Sequence, residues 1–226
     1  MASTIRPIDA LDFASDYVKG EPIERQQVRI LDDVNKYLWM AAPWRWTIGT
    51  VGEITLINGQ QDYTLTAPGD MLFPIYAYIS DGATTPQYVD IEPKIPSSAI
   101  QAGQPTRMSY EGSNNWRFYP VPVITGTKTV VIQYKKVAPV LTASNIYTGG
   151  TQVFDDEWFW VYQEGVLWKS YLYADDNRCG SLTFADGKVQ MSGKRAEFEA
   201  AIDYMRQREK LPIFGYQLSP DPKMAK

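Results

Sequence analysis

The hydrophobic pattern of this chain changes period twice, and that double change limits its architecture more than any other feature. Up to Pro43 the apolar residues recur every three or four positions. From Trp44 they alternate, and from Asp155 the helical spacing returns. Helices at both ends each carry an apolar stripe, and they bury those stripes most economically against one another, with the extended middle inserted between them. The expected fold is therefore α+β: an α-helical bundle of N- and C-terminal helices, an inserted antiparallel β-sandwich or barrel-like module, and an extended C-terminal tail. The corresponding boundaries are 1–43, 44–142, 143–210 (with a small hairpin) and 211–226.

Pro7 to Val18 is expected to form a short helix with Ile8, Leu11 and Val18 on one side, stopping at Lys19-Gly20. Pro22 suits a first helical position. Ile23, Ile30, Leu31, Val34, Leu38 and Ala41 then make one stripe, with Glu24, Arg25, Arg29, Asp32, Asp33 and Lys36 opposite it. In the middle, Trp44, Trp46 and Ile48 alternate with polar residues. Ile54 and Leu56 lead into Asn58-Gly59, and Tyr63 and Leu65 lead out, the pattern of a tight hairpin. Phe73–Ile79, Gln87–Ile91, Arg107–Tyr110, Trp116–Tyr119 and Lys128–Lys136 are further strands between turn-rich spacers.

Asp155 is the expected N-cap of a helix on which Trp158, Val161, Tyr162, Trp168 and Leu172 share a face, while Phe159, Trp160, Val166, Leu167 and Tyr171 occupy much of the rest. A helix apolar nearly all round needs partners on several sides, and another subunit is one candidate. Trp158, Trp160, Tyr162 and Trp168 are thus candidate inter-subunit residues. Leu182–Phe184 and Val189–Met191 read as a small hairpin, with a helix start at Asp186 as the rival. Ser192 then caps a last helix with Phe198, Ile202 and Met205 buried and Arg195 paired with Glu199.

Composition narrows the chemistry. The chain has no histidine, which removes histidine triads, histidine-ligated zinc and histidine pH switches. Its single cysteine, Cys179, excludes an internal disulfide and a CxxC site. No run approaches ~20 apolar residues, so no membrane role is expected. The acidic groups Asp155-Asp156-Glu157, Asp32-Asp33, Asp175-Asp176 and Asp90/Glu92 read as caps or solvated faces, since neighbours on a helix diverge. No catalytic residue, metal ligand or cofactor site is assigned, and the glycine pairs near 49–52 and 149–150 lack a phosphate-loop pattern. Trp44/Trp46, Trp116/Phe118/Tyr119 and Tyr76/Tyr78 are either a stacking platform or core. Arg117, Lys128, Lys135 and Lys136 would face nucleic acid or, with alternating Val130, Ile132 and Tyr134, the solvent side of a strand. A net charge of −4 argues against tight phosphate binding.

The end of the chain stands out. Leu211, Pro212, Ile213, Phe214, Tyr216 and Leu218 form an apolar strip broken by prolines, too short to fold alone. Proline limits the entropy lost when an extended strip docks, so this segment is the expected partner-binding element.

Several short signatures now line up in order: a helix running into Trp44-Arg45-Trp46, then Tyr63-Thr64-Leu65 with Pro68-Gly69-Asp70. Gly103-Gln104-Pro105 and Trp116-Arg117-Phe118-Tyr119-Pro120-Val121-Pro122 follow, then Tyr134-Lys135, Leu141-Thr142 and the aromatic helix. From about Pro22 to Lys210 this order resembles the head-to-tail adaptor (connector) proteins of tailed bacteriophages. The resemblance implies a non-enzymatic virion protein of the neck between capsid and tail, assembled in the host cytoplasm. It implies a ring of about a dozen copies with a heterologous lateral interface. Its partners would be the portal ring, gripped by the C-terminal strip, a downstream tail or nozzle protein, and genomic DNA passing without specific binding. Two other readings remain open: a β-sandwich carbohydrate-binding or cell-wall-degrading virion protein, and another neck or tail component such as a stopper or tail-tube protein.

Overall fold

The computed structural model describes residues 5–18, 26–80, 86–98, 101–149, 154–185 and 188–210. The chain is mixed α+β and divides into two compact units. One joins Met1–Trp46 with Ala138–Lys226, and the other is the continuous stretch Thr47–Val137.

The helical unit contains α1 (Pro7–Ser15), α2 (Gln27–Ala41), α3 (Phe159–Tyr173) and α4 (Gly193–Arg208). α1 starts with Pro7, and the Asp9 carboxylate reaches back to accept the Arg6 backbone N–H (2.8 Å) and its guanidinium (2.9 Å). The predicted stripe of α2 is buried at Ile30, Leu31, Val34 and Leu38. Its expected start at Pro22, with Ile23, lies outside the described residues, as does Gly20. α3 is enclosed by the chain itself: α1, α2 and α4 all pack on it. The approach is close at Gly165, where a Cβ would stand 2.6 Å from Val34 and 2.7 Å from the Phe198 ring. Asp155 precedes a 3₁₀ turn (Asp156–Trp158), but its side chain makes no capping bond. Ser192 likewise precedes α4 without capping it, because its hydroxyl accepts the Ser181 N–H instead (3.0 Å). The pair expected between Arg195 and Glu199 does not form. Glu199 accepts the Tyr37 hydroxyl, and Arg195 lies over the Trp168 ring. The small hairpin is present as β10 (Leu182–Ala185) and β11 (Lys188–Met191), so the rival helix start at Asp186 is set aside.

Polar contacts tie the returning chain to α2. The Asn35 amide donates to the Pro139 carbonyl (3.0 Å), and Asp32 accepts the Leu141 N–H (2.9 Å). Arg206 on α4 donates to the Ala41 carbonyl (2.6 Å), satisfying a carbonyl at the end of α2.

The second unit holds β1 (Ile48–Thr55), β2 (Asp62–Thr64), β3 (Met71–Ser80), β4 (Gln87–Ile91), β5 (Ala102–Gly103), β6 (Arg107–Gly112), β7 (Asn115–Tyr119), β8 (Val121–Pro122) and β9 (Thr129–Lys136). Seven strands make one sheet in the order β1-β9-β3-β4-β6-β7-β2, and β5 pairs with β8 separately. The seven-stranded sheet is antiparallel except for β4 with β6, which run parallel, so the module is mixed rather than antiparallel throughout. The sheet curls: a Cβ at Gly52 on one edge strand would lie 3.7 Å from Leu65, just beyond the other edge strand. Ile54, Leu56, Tyr63, Ala77, Ile79, Val89, Met108, Trp116, Phe118, Val130 and Ile132 form its core.

Two expectations for this unit are corrected. Asn58-Gly59 is a turn, with Gly59 at φ +79°, but the strands beside it do not pair with each other. β1 pairs with β9 and β2 with β7. The Tyr63 hydroxyl fills the turn, accepting the Ile57 N–H (2.9 Å) and donating to the Gln60 carbonyl (3.0 Å). The tight hairpin is instead β6–β7, where Ser113 and Asn114 both take positive φ (49° and 66°). The strand expected from Trp44 begins only at Ile48, after a 3₁₀ turn (Arg45–Thr47). Trp44 belongs to the helical core, where its indole N–H donates to the Leu38 carbonyl (2.6 Å).

Candidate functional site

The carboxylates singled out in the sequence act mostly as clamps. Besides accepting the Leu141 N–H, Asp32 pairs with Lys36 (2.6 Å). Asp33 pairs with Lys169 (3.6 Å) and accepts the Tyr173 hydroxyl (3.3 Å), which joins α2 to α3. Asp176 caps a short turn by accepting the Arg178 N–H. Hydrogen bonds from the Arg178 guanidinium and backbone hold its carboxyl down at about 2. Glu92 pairs with Arg107 (3.0 Å). Among the described residues no three Cys, Asp or Glu side chains converge as a metal site. Cys179 is half-buried, with its sulfur 3.3 Å from the Gly180 carbonyl oxygen.

The aromatic candidates separate into core and surface. Trp44 stacks on Trp46 (centroids 5.5 Å, 9°), and Trp116 and Phe118 lie inside the curled sheet. Tyr119 carries the Arg107 guanidinium over its ring (4.6 Å). Tyr76 and Tyr78 are half-exposed, and Tyr78 meets Tyr88, which is 68% exposed. A shallow, mainly apolar groove of about 340 Å³ lies nearby, lined by Leu72, Phe73, Pro74, Ile91, Glu92, Pro93 and Tyr110.

Two of the four basic candidates are held by partners within the β unit. Arg117 forks onto Asp62 (2.6 and 3.1 Å) and donates to the Ile95 carbonyl (3.1 Å). Lys135 is 3% exposed, contrary to the expected solvent-side position. Its ammonium donates to the Thr47 hydroxyl (2.7 Å), and burial pushes its pKa down to about 7. Tyr134 and Lys135 are buried in succession, so both faces are covered at the end of β9 and the alternation fails there. Tyr134 itself donates to Asp70 (2.7 Å). Burial, followed by that carboxylate, raises its pKa to about 12.

Of the four inter-subunit candidates, three are buried within their own chain. Tyr162 donates to the Leu31 carbonyl (2.9 Å), and burial raises its pKa. Trp168 packs against Phe198 and Tyr37 (centroids 5.6 and 5.8 Å). Trp158 lies beneath Tyr204 and Arg208. Trp160 remains 42% exposed, beside Tyr204 at 50%, with ring centroids 6.1 Å apart. The exposed Arg208 guanidinium is 5.7 Å from the Trp158 ring and 3.8 Å from Glu157. Sequence reading missed Tyr204, although the signal was there: an aromatic residue off the buried Phe198, Ile202, Met205 stripe. The strip Leu211, Pro212, Ile213, Phe214, Tyr216 and Leu218 lies outside the described residues.

No helix among the described residues is long and apolar enough to cross a membrane. No curated protein matches the chain significantly. The sequence model of the family described as SU10 adaptor protein matches residues 9–217, which spans both units and enters the C-terminal strip. That match agrees with the resemblance to head-to-tail adaptors, and the chain belongs to the SU10 adaptor protein family.

Proposed function

We propose that the chain is a non-enzymatic virion component that links the portal to the tail as a head-to-tail adaptor ring and forms part of the DNA channel. The observation that carries this reading is the family match over residues 9–217. Supporting it, the acidic residues Asp32 and Asp33 of α2, Asp176 and Glu92 hold structural partners, and the helical unit exposes aromatic residues. In this reading the helices close as a bundle and the barrel-like module faces the tail. Trp160 is the inter-subunit residue retained from the original four. The Leu211–Leu218 strip grips the portal, and the tail-side partner is a tail or nozzle protein. Genomic DNA passes without specific binding, consistent with a net charge of −4. Assembly takes place in the host cytoplasm.

Deletion of residues 211–226 tests the reading. The truncated chain is expected to keep its circular dichroism spectrum and its melting temperature but to lose the joining of portal-containing heads to tails. Undiminished joining would remove the portal-gripping role.

A further inference from the structure

Two exposed faces of the helical unit match one another in chemistry. On α1 and the turn that follows, Asp12 and Asp16 are exposed one helical turn apart, and neither forms an ion pair among the described residues. Beside that acidic ridge run Phe13 and Tyr17, also one turn apart, with ring centroids at 5.2 Å and Tyr17 51% exposed. On α3 and α4 the exposed pair is Trp160 with Tyr204, and one turn beyond Tyr204 stands the exposed Arg208, with Lys210 following. Beneath this second face the Trp158 indole N–H has no acceptor among the described residues. α1 and α4 each pack on α3 but share no extended contact with each other, so the two faces are separate patches of one unit.

We infer that the acidic-aromatic face Asp12, Asp16, Tyr17 of one copy docks on the basic-aromatic face Trp160, Tyr204, Arg208 of a second copy. Charge complementarity selects this occupant: carboxylates without ion pairs meet the exposed Arg208 guanidinium, whose pair with the equally exposed Glu157 is long (3.8 Å) and open to exchange, while aromatic rings meet aromatic rings. The patches differ, so the contact is heterologous and repeats from copy to copy, as a ring requires. It rests on the adaptor reading and deepens it by naming the lateral surfaces.

The test uses the full chain with Cys179→Ser. In that background Asp16→Cys and Tyr204→Cys are made singly and together, then oxidised both free in solution and on portal-containing heads. The double variant is expected to give a ladder of dimers, trimers and higher species that collapses on reduction, and each single variant is expected to stay monomeric. Dimers from a single variant would mean a like-with-like contact and overturn the inference. So would capture of another protein instead of a second copy. A double variant that assembles on heads without cross-linking would overturn the lateral faces while leaving the adaptor reading intact.

A charge exchange provides the second readout, free of new cysteines. Asp12→Lys with Asp16→Lys, or Arg208→Glu alone, should each raise the concentration for half-assembly about tenfold, and their combination should recover most of that loss. Losses that simply add in the combined variant, in a chain whose melting temperature is unchanged, contradict the pairing.

Discussion

The helical and β units bury their aromatic residues by different means. In the helical unit, α3 is covered by helices drawn from both ends of the chain, and the approach is so close that Gly165 has no room for a side chain. Asn35, Asp32 and Arg206 hold those distant segments together through backbone groups. The β unit comes from one continuous stretch, and its core lies inside a curled sheet held by strand pairing. It also buries a lysine, which the helical unit does not do among its described residues. One core thus depends on two remote halves meeting, and the other is local in sequence, with a buried lysine on the opposite face of β9 from the core residues Val130 and Ile132. The two hydrophobic clusters share no residue.

Substitutions in each core should separate the two units. Trp116→Ala should have the largest effect, a loss of about 3–5 kcal/mol, because it empties the sheet interior and removes the indole bond to the Leu65 carbonyl (2.9 Å). Hydrogen exchange should show the loss concentrated in the strands. Equal acceleration in α3 would mean that the two cores unfold as one. Gly165→Val should cost about 3 kcal/mol, because its methyl groups enter space held by Val34 and Phe198. Its exchange signature should be the reverse, strongest in α2, α3 and α4. A Gly165→Val chain with unchanged denaturant stability would show that the helices have slack.

Lys135→Met should have a smaller effect of opposite sign. The folded lysine titrates near 7 and the unfolded one near 10.5, so the unfolded chain binds more protons between those values. Stability therefore rises with pH across that window, and the burial penalty is complete below it. The methionine variant should gain about 2 kcal/mol at pH 6, after allowing for the lost hydrogen bond to the Thr47 hydroxyl, and the gain should fade as pH approaches 10.5. A pH-independent difference would contradict the burial of a charged group.

Much of the fold was legible because hydrophobic period is a local property. The α2 stripe, the α4 stripe and most strands lie where alternation or helical spacing placed them. Pairing was not legible in the same way. Asn58-Gly59 marks a turn, but turn chemistry does not choose which strand lies alongside, and here the neighbours came from β7 and β9. Trp44 alternates with its neighbours yet belongs to the helical core, since its side chain answers to α2 rather than to a strand. A helix apolar all round needs several partners, and α3 finds three of them within its own chain. Of its four proposed contact residues only Trp160 keeps substantial exposure. Tyr204 and Arg208, which complete that face, become visible only when α4 is laid on α3.

In the proposed adaptor, many copies of this chain sit together at the junction of head and tail. Native mass spectrometry of neck complexes released from joined particles measures that directly. One species holding multiple copies of this chain with the portal protein is expected. A neck that lacks the chain, or holds a single copy, would contradict it.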